Sequence, residues 1–152
     1  AIAAHRFGLG EPTLAPIVAD PQGWLAAQLG PAEPQRGEGL ASGAEGARRF
    51  VEFLRQQRQA RARMNDGDMR SGEQRFGEHF RAIVQADVRA RLSTAALSGR
   101  PFNERLALFW ANHFTVSMAK ASARGMVGAF EREAIRPHIG GSFAALLAAA
   151  IK

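Results

Sequence analysis

The run PFNERLALFWANHFTVS, Pro101 to Ser117, is the densest stretch of large apolar side chains in the sequence. Its rings and leucines recur at steps of three and four, the spacing that places side chains on one face of an α-helix. The residues on this face are Phe102, Leu106, Phe109, Trp110, His113 and Phe114. Pro101 suits a first helical turn, because its missing N–H would have had no partner there. The run therefore predicts a central helix.

Two polar residues, Asn112 and His113, lie against this apolar face, and two interpretations follow. In the first, the helix is buried and both side chains are satisfied by hydrogen bonds. In the second, burial beside Trp110 keeps the imidazole neutral, as a general base or a metal ligand requires. One histidine does not define a metal site, because zinc needs at least two more ligands.

The composition of the 152-residue chain indicates one domain with a real core and excludes several kinds of site. Without cysteine there is no disulfide, thiolate catalysis or cysteine-ligated zinc. No apolar run reaches the length of about 18 residues that a membrane span needs. A net charge of +6 is compatible with an anionic partner. Nucleic acid is not favoured as that partner, since arginine richness also follows from a GC-rich genome.

Helical patterns continue through most of the chain. Short helices are predicted near the N-terminus, with Asp20 capping one of them. Longer ones are predicted from Ala47 to Met64, ending at an Asn65–Gly67 turn, and from Ser71 to Ser98. Further helices follow Met126 and Ser142, and Pro137 is expected to end the first of these. On the Ser71–Ser98 helix, Asp87 and Arg91 lie four residues apart and are candidates to pair with each other.

The absence of two-residue alternation predicts an all-α fold, an irregular bundle of about six or seven helices with a central long helix pair. Residues 1–29 are expected to form an N-terminal helical segment. Residues 30–46 are rich in Gly and Pro and are expected to be a poorly ordered linker. Residues 47–152 would form the helical core, which is interpreted as the N-terminal part of a longer domain. The whole chain is interpreted as a fragment.

A second polar motif, FEREAIRPH, spans Phe130 to His138. Here Glu131 and Glu133 stand beside the cations Arg132, Arg136 and His138. Two histidines with either glutamate would suffice for a metal if the helices converge. The alternative is a surface salt-bridge network of little energetic value. A separate acid at position 104, in the first turn of the central helix, is explained by the helix dipole alone.

The two blocks FNERLALFWANHFTVS and GAFEREAIRPHIGGSFAALLAAAIK resemble the N-terminal portion of the bacterial domain-of-unknown-function family 1800. Residues Trp110, Asn112, His113 and Phe114 match its W-x-N-H-F core. The segment from Glu131 to His138 matches its R-E-x-I-R-P-H motif and flank. The opening HRFGLG and the later GWLAAQL are similar to the family's N-terminal signature.

This resemblance carries no established activity, so reaction, metal and cofactor stay open. It implies an exported, periplasmic or secreted protein whose partners would be the remainder of its own chain and a co-encoded sulfatase-like protein. The leading hypothesis is a polar site in which catalytic His113, Asn112 and Glu131 meet a binding set. That binding set comprises Trp110, Arg132, Arg136 and His138. The alternative is a helical scaffold or partner-binding module without catalysis.

Overall fold

The structure, a computed structural model, describes residues 2–63 and 72–152. These residues contain eight α-helices and no strand, so the all-α prediction is confirmed. The helices are α1 (Ile2–Phe7), α2 (Ala15–Ala19), α3 (Pro21–Ala26), α4 (Gly43–Arg63), α5 (Gly72–Leu97), α6 (Pro101–His113), α7 (Val127–Phe130) and α8 (Phe143–Ala150). The predicted turn at Asn65–Gly67, with Met64 and Ser71, lies outside the described residues. In the part that is described, no helix is long and apolar enough to span a membrane.

Local sequence signals explain several helix boundaries. The carboxylate of Asp20 accepts a hydrogen bond from the Gly23 N–H at the start of α3, and Ser142 caps α8 in the same way through the Ala145 N–H. Helix α6 begins at Pro101 as predicted. Helix α4 begins at Gly43, four residues before the predicted Ala47, with Ser42 accepting from the Glu45 N–H.

Two apolar clusters form the core. The first joins α4 and α5 through rings and aliphatic side chains, with Phe53, Phe76, Phe80 and Ile83 buried. The second joins α6, the segment after α7 and α8, with Ala107, Ile135, Ile139 and Leu146 buried.

The helix predicted to follow Met126 changes its winding instead of continuing evenly to Arg136. After α7 the backbone forms a wide π-helical turn over Glu131–Ile135 and then a tight 3-10 turn over Arg136–His138. Proline has no N–H and its ring clashes with the carbonyl four residues earlier, so Pro137 prevents a regular α-helix here. The His138 Nδ1 donates to the Ala134 carbonyl at 2.9 Å, the oxygen that a regular helix would pair with the His138 N–H.

Residues 31–42, hereafter the strap, are irregular as predicted, but they are held by many long-range hydrogen bonds. The Arg36 N–H donates to Thr94 Oγ1 of α5 at 2.7 Å, and the Ala32 N–H donates to the Arg136 carbonyl at 2.9 Å. The expectation of a poorly ordered linker is therefore wrong. A Gly/Pro-rich segment has few side chains to bury, but its backbone groups can bond to the side chains around it.

Candidate functional site

Six charged side chains from α5, α6 and the turns after α7 form a charge network, and it lies largely inside the protein. Its members are Asp87, Arg91, Glu104, Glu131, Arg132 and Arg136. Three carboxylates face three guanidiniums, so the network is formally neutral. A buried charge is costly unless it is paired and hydrogen-bonded, which explains why the groups occur together.

Arg136 is the centre of the network, with a side chain only 3% exposed. Its Nη2 lies 2.5 Å from Glu104 Oε1, and its Nη1 lies 3.0 Å from Glu104 Oε2, so the pair is bidentate. Nη1 also lies 3.5 Å from Glu131 Oε1. In a π-helical turn residues five apart become neighbours, and this brings Glu131 and Arg136 to the same side.

The remaining ion pairs extend the network to α5. Arg132 Nη1 lies 2.6 Å from Asp87 Oδ1, and Arg91 Nε lies 3.4 Å from Glu131 Oε2. Asp87 and Arg91 thus each pair with the segment after α7, and not along α5 as the spacing suggested. Gly128 makes room for this contact, because a Cβ at that position would collide with the Asp87 carboxylate.

The same arginines hold the strap. Arg136 donates through Nε to the Glu33 carbonyl at 2.8 Å, and Arg132 donates through Nη2 to the Ala41 carbonyl at 2.5 Å. The Gln35 amide donates to Glu131 Oε1 at 2.8 Å. Backbone carbonyls therefore complete the guanidinium hydrogen bonding that the carboxylates leave open.

A smaller polar contact set ties the start of α6 to residues 28–31, which follow α3. Asn103 Nδ2 donates to the Gln28 and Gly30 carbonyls, at 3.0 and 2.8 Å. Gln28 Oε1 accepts from the Phe102 N–H at 2.8 Å, and Arg100 donates to the Gln28, Leu29 and Pro31 carbonyls. The sequence reading missed these three polar side chains, because isolated Gln, Asn and Arg residues carry no spacing signal.

The second half of α6 and α8 present a different surface. Five rings touch one another there: Phe109, Trp110, His113, Phe114 and Phe143. Phe109 is 57% exposed and Phe143 is 54% exposed. Leu147 and Ile151 follow Phe143 at steps of four and are also exposed, so they continue this face of α8. These seven residues are called the aromatic surface below.

The structure gives His113 and Glu131, which the leading hypothesis joined, different sets of described contacts. His113 and Asn112 are exposed at the end of α6, so burial of the imidazole was a wrong expectation. The described contacts of His113 are with the rings of Phe109, Trp110 and Phe114. Those of Glu131 are with Gln35, Arg91 and Arg136, and the two sets share no member.

Other expectations for these polar residues also change. The network around Glu131 is buried and is not a surface salt-bridge array, and Glu104 serves as the carboxylate for Arg136 in addition to lying near a helix N-terminus. Glu133 accepts from the Gly43 N–H at 3.0 Å, at the start of α4. Across residues 2–63 and 72–152, no three His, Asp or Glu side chains stand close enough to hold a metal ion. The condition for a metal site is not met there.

The family model described as "Protein of unknown function (DUF1800)" matches residues 2–152. The chain belongs to this family. The match includes the charge network, the strap and the aromatic surface, so the resemblance noted at the two motif blocks is confirmed over nearly the whole chain. No curated protein and no solved structure matches. Membership of the DUF1800 family brings no established activity.

Proposed function

We propose that this DUF1800 chain is a helical partner-binding module, and that its aromatic surface binds an apolar segment of another protein with acidic flanking residues. The observation that carries the proposal is the exposure of Phe109 and Phe143, two rings of a five-ring cluster. An exposed cluster of large apolar side chains on a folded protein marks an interaction site more often than isolated exposed residues do.

Charge supports an acidic partner. The segments 106–117 and 142–152, which form the aromatic surface, contain no Asp or Glu. Their ionisable side chains are His113 and Lys152, and the whole chain carries a net charge of +6. Acidic residues around the partner's apolar anchors would complement this surface and speed encounter.

The shape of α8 supports a helical or extended segment as the bound element. Ala144 is exposed and borders the face of α8 that carries Phe143, Leu147 and Ile151, since one residue is a rotation of about 100° around the helix. A small side chain there lets another backbone approach closely, and the large side chains of the face supply anchors. Trp110, Asn112 and His113 then have binding roles, whereas Glu131, Arg132 and Arg136 hold the fold.

Other roles remain predictions. Catalysis by His113, Asn112 and Glu131, and binding by His138, are not part of this proposal. Export from a bacterial cell and a sulfatase-like partner also stay predictions from the family resemblance.

The test is a selection of phage-displayed random peptides on the 152-residue chain, with affinities of selected peptides measured by fluorescence anisotropy. We expect peptides that combine Asp or Glu with aromatic or aliphatic anchors. The double variant Phe109→Ser/Phe143→Ser should bind them at least about tenfold more weakly, since central aromatic anchors carry most of the binding energy. The matched control Leu92→Ser/Leu97→Ser removes two exposed leucines of α5 and should bind as the parent does.

The proposal is wrong if the selected peptides carry no excess of acidic residues, or if both double variants bind them equally. Co-sedimentation with vesicles of phosphatidylcholine and phosphatidylglycerol gives a third outcome. Vesicle binding that requires Phe109 and Phe143, without peptide binding, would make the surface a lipid contact and overturn the proposal. Circular dichroism on each variant checks that the helices are intact.

A further inference from the structure

His113 is the ionisable side chain that lies among the rings of the aromatic surface. It is the last residue of α6, and it is exposed. Its imidazole stacks on Phe109, with 6.2 Å between the ring centres and an angle of 20° between the ring planes. Trp110 and Phe114 meet it edge-on, with ring centres at 5.5 and 5.0 Å. Three rings therefore fix the position of the imidazole, while the side chain stays accessible to water.

No acid within the chain takes up the charge that this imidazole can carry. In the part of the chain that the structure describes, His113 forms no ion pair. Helix α8 contacts the same ring cluster through Phe143, and α8 contains no ionisable side chain. The two elements that form the aromatic surface thus bring no carboxylate to His113.

The other charged groups near His113 in the chain do not compete for it either. On α6 the remaining ionisable side chains are Glu104 and Arg105, at least about 12 Å away along the helix axis. Glu104 is also paired with Arg136. After α6, the next ionisable side chains in the sequence are the cations Lys120 and Arg124. A carboxylate that pairs with His113 would therefore come from another molecule.

The surroundings of His113 suit a charge that depends on pH. Histidine is the side chain that normally gains or loses its charge between about pH 5 and about pH 8. The carbonyl end of a helix and the face of an aromatic ring both interact favourably with a cation. The imidazole at the end of α6 has both of these neighbours, so it can present a positive charge to a bound partner.

We infer that His113, as an imidazolium, binds a carboxylate of the acidic partner, so that the aromatic surface binds this partner more tightly in mildly acidic than in alkaline solution. This role of His113 rests on the proposed function, because it needs the acidic apolar segment proposed above. It adds the position of the acid. Since Phe109 and His113 are one helical turn apart, the carboxylate should lie about 5 Å from the anchor that packs on Phe109.

The first experiment measures the affinity of one selected acidic peptide for the 152-residue chain by fluorescence anisotropy. The measurement is made at about pH 6 and about pH 8, near the two sides of the range in which histidine titrates. The peptide is acetylated and amidated, so that its ends carry no charge. We expect binding about threefold tighter at the lower pH, the effect of one solvent-exposed ion pair. An affinity that is unchanged or weaker at the lower pH overturns the inference.

Variants then assign the pH dependence to one histidine. His113→Gln keeps a polar side chain that does not titrate, and its affinity should be the same at both pH values. His113→Lys is positively charged at both, so it should bind the acidic peptide more tightly than His113→Gln and also without pH dependence. The matched control His5→Gln changes another exposed histidine, on α1, and should keep the dependence of the parent. A pH dependence that persists in His113→Gln or disappears in His5→Gln contradicts the inference.

The peptide side is tested by replacing its Asp and Glu residues with Asn and Gln. This neutral peptide should bind the parent chain with the same affinity at both pH values, because it offers no carboxylate to the imidazolium. If it keeps the full pH dependence, the proton acts at another place and His113 does not recognise the acid.

Failure of this role and failure of the proposed function give different results. If binding does not depend on pH but still weakens in Phe109→Ser/Phe143→Ser, the aromatic surface binds its partner and the role of His113 is wrong. If this double variant binds as the parent does, the proposed function is wrong and the role of His113 falls with it. Circular dichroism at both pH values checks that the helices of each variant are intact.

Discussion

Helix α6 carries a buried acid near one end and an exposed ring near the other. Glu104 is 1% exposed and Phe109, five residues later, is 57% exposed. This reverses the usual placement of charged and apolar side chains. The buried acid is explained by partners within the chain, namely Arg136 and its network. No comparable set of partners covers the outer faces of the described rings Phe109 and Phe143, and this difference is why the ring surface is proposed for binding.

The largest expected effect comes from breaking the buried pair at its centre. Arg136→Met should lower the free energy of unfolding by about 3–5 kcal/mol, because the buried Glu104 carboxylate would lose its bidentate partner and Glu131 would lose one of its two cations. Urea denaturation followed by circular dichroism measures this. Arg89→Met, at an exposed position of α5, should stay within about 0.5 kcal/mol. Adding Glu104→Gln to Arg136→Met should restore part of the lost free energy of unfolding, because it removes the unpaired charge. A further loss of stability in the double variant would contradict the pairing of Glu104 with Arg136.

A second test removes one bond between the strap and α5. Thr94 is fully buried, and its Oγ1 accepts from the Arg36 N–H. Thr94→Val keeps the shape and leaves that N–H unpaired, which should cost about 1–2 kcal/mol. Amide hydrogen exchange at Arg36 should also be faster in Thr94→Val than in the parent chain. Ser93→Ala, at the neighbouring exposed position, is the control, and an unchanged exchange rate at Arg36 in Thr94→Val would argue against a strap held at this point.

A third test concerns the exposed rings. Phe109→Ser and Phe143→Ser should each reduce stability by less than about 1 kcal/mol, since about half of each ring is already in water. Phe80→Ala, in the buried α4–α5 cluster, should cost about 3–5 kcal/mol by comparison. A loss at Phe109 as large as that at Phe80 would mean that the aromatic surface is part of the core and is not a free binding surface.

The smallest expected effect is a pH dependence at the start of α4. Hydrogen bonds from Arg49 and then Arg48 lower the pKa of Glu45 below its ordinary value. A carboxyl whose pKa is lowered by folding stabilises the protein above its unfolded pKa. That contribution is lost as the pH falls through the folded pKa. Carboxyl NMR titration should show the pKa of Glu45 rising in Arg49→Gln, and no rise would exclude Arg49 as the main cause.

Helical periodicity was enough to predict the fold class and many helix boundaries. Proline and cap residues such as Pro101 and Ser142 mark the start of a helix through their own local backbone chemistry. The helix boundary can therefore be predicted without knowledge of the rest of the structure. The start of α4 was placed too late, although Ser42 and Glu45 have the spacing of a capping box and Ser42 accepts from the Glu45 N–H. Gly43 is also held by Glu133, ninety residues further on. A contact of that length leaves no periodic signal.

The candidate site was harder to predict for the same reason. Glu131, Arg132 and Arg136 stood out as a motif, but their partners Asp87 and Glu104 lie on other helices. The exposure of Phe109 and His113 was also missed, because helical spacing identifies a shared face without stating what covers it. The division into residues 1–29, 30–46 and 47–152 as separate units stays a prediction.

The central claim is that the charge network holds the fold while the aromatic surface binds a partner. Hydrogen exchange by mass spectrometry, with and without an acidic peptide selected on the parent chain, tests it most directly. We predict that the peptide adds protection to residues 106–114 and 143–151 and leaves residues 31–42 and 131–138 unchanged. Protection gained at the strap and the Glu131–His138 segment instead, with none at the rings, would contradict the account.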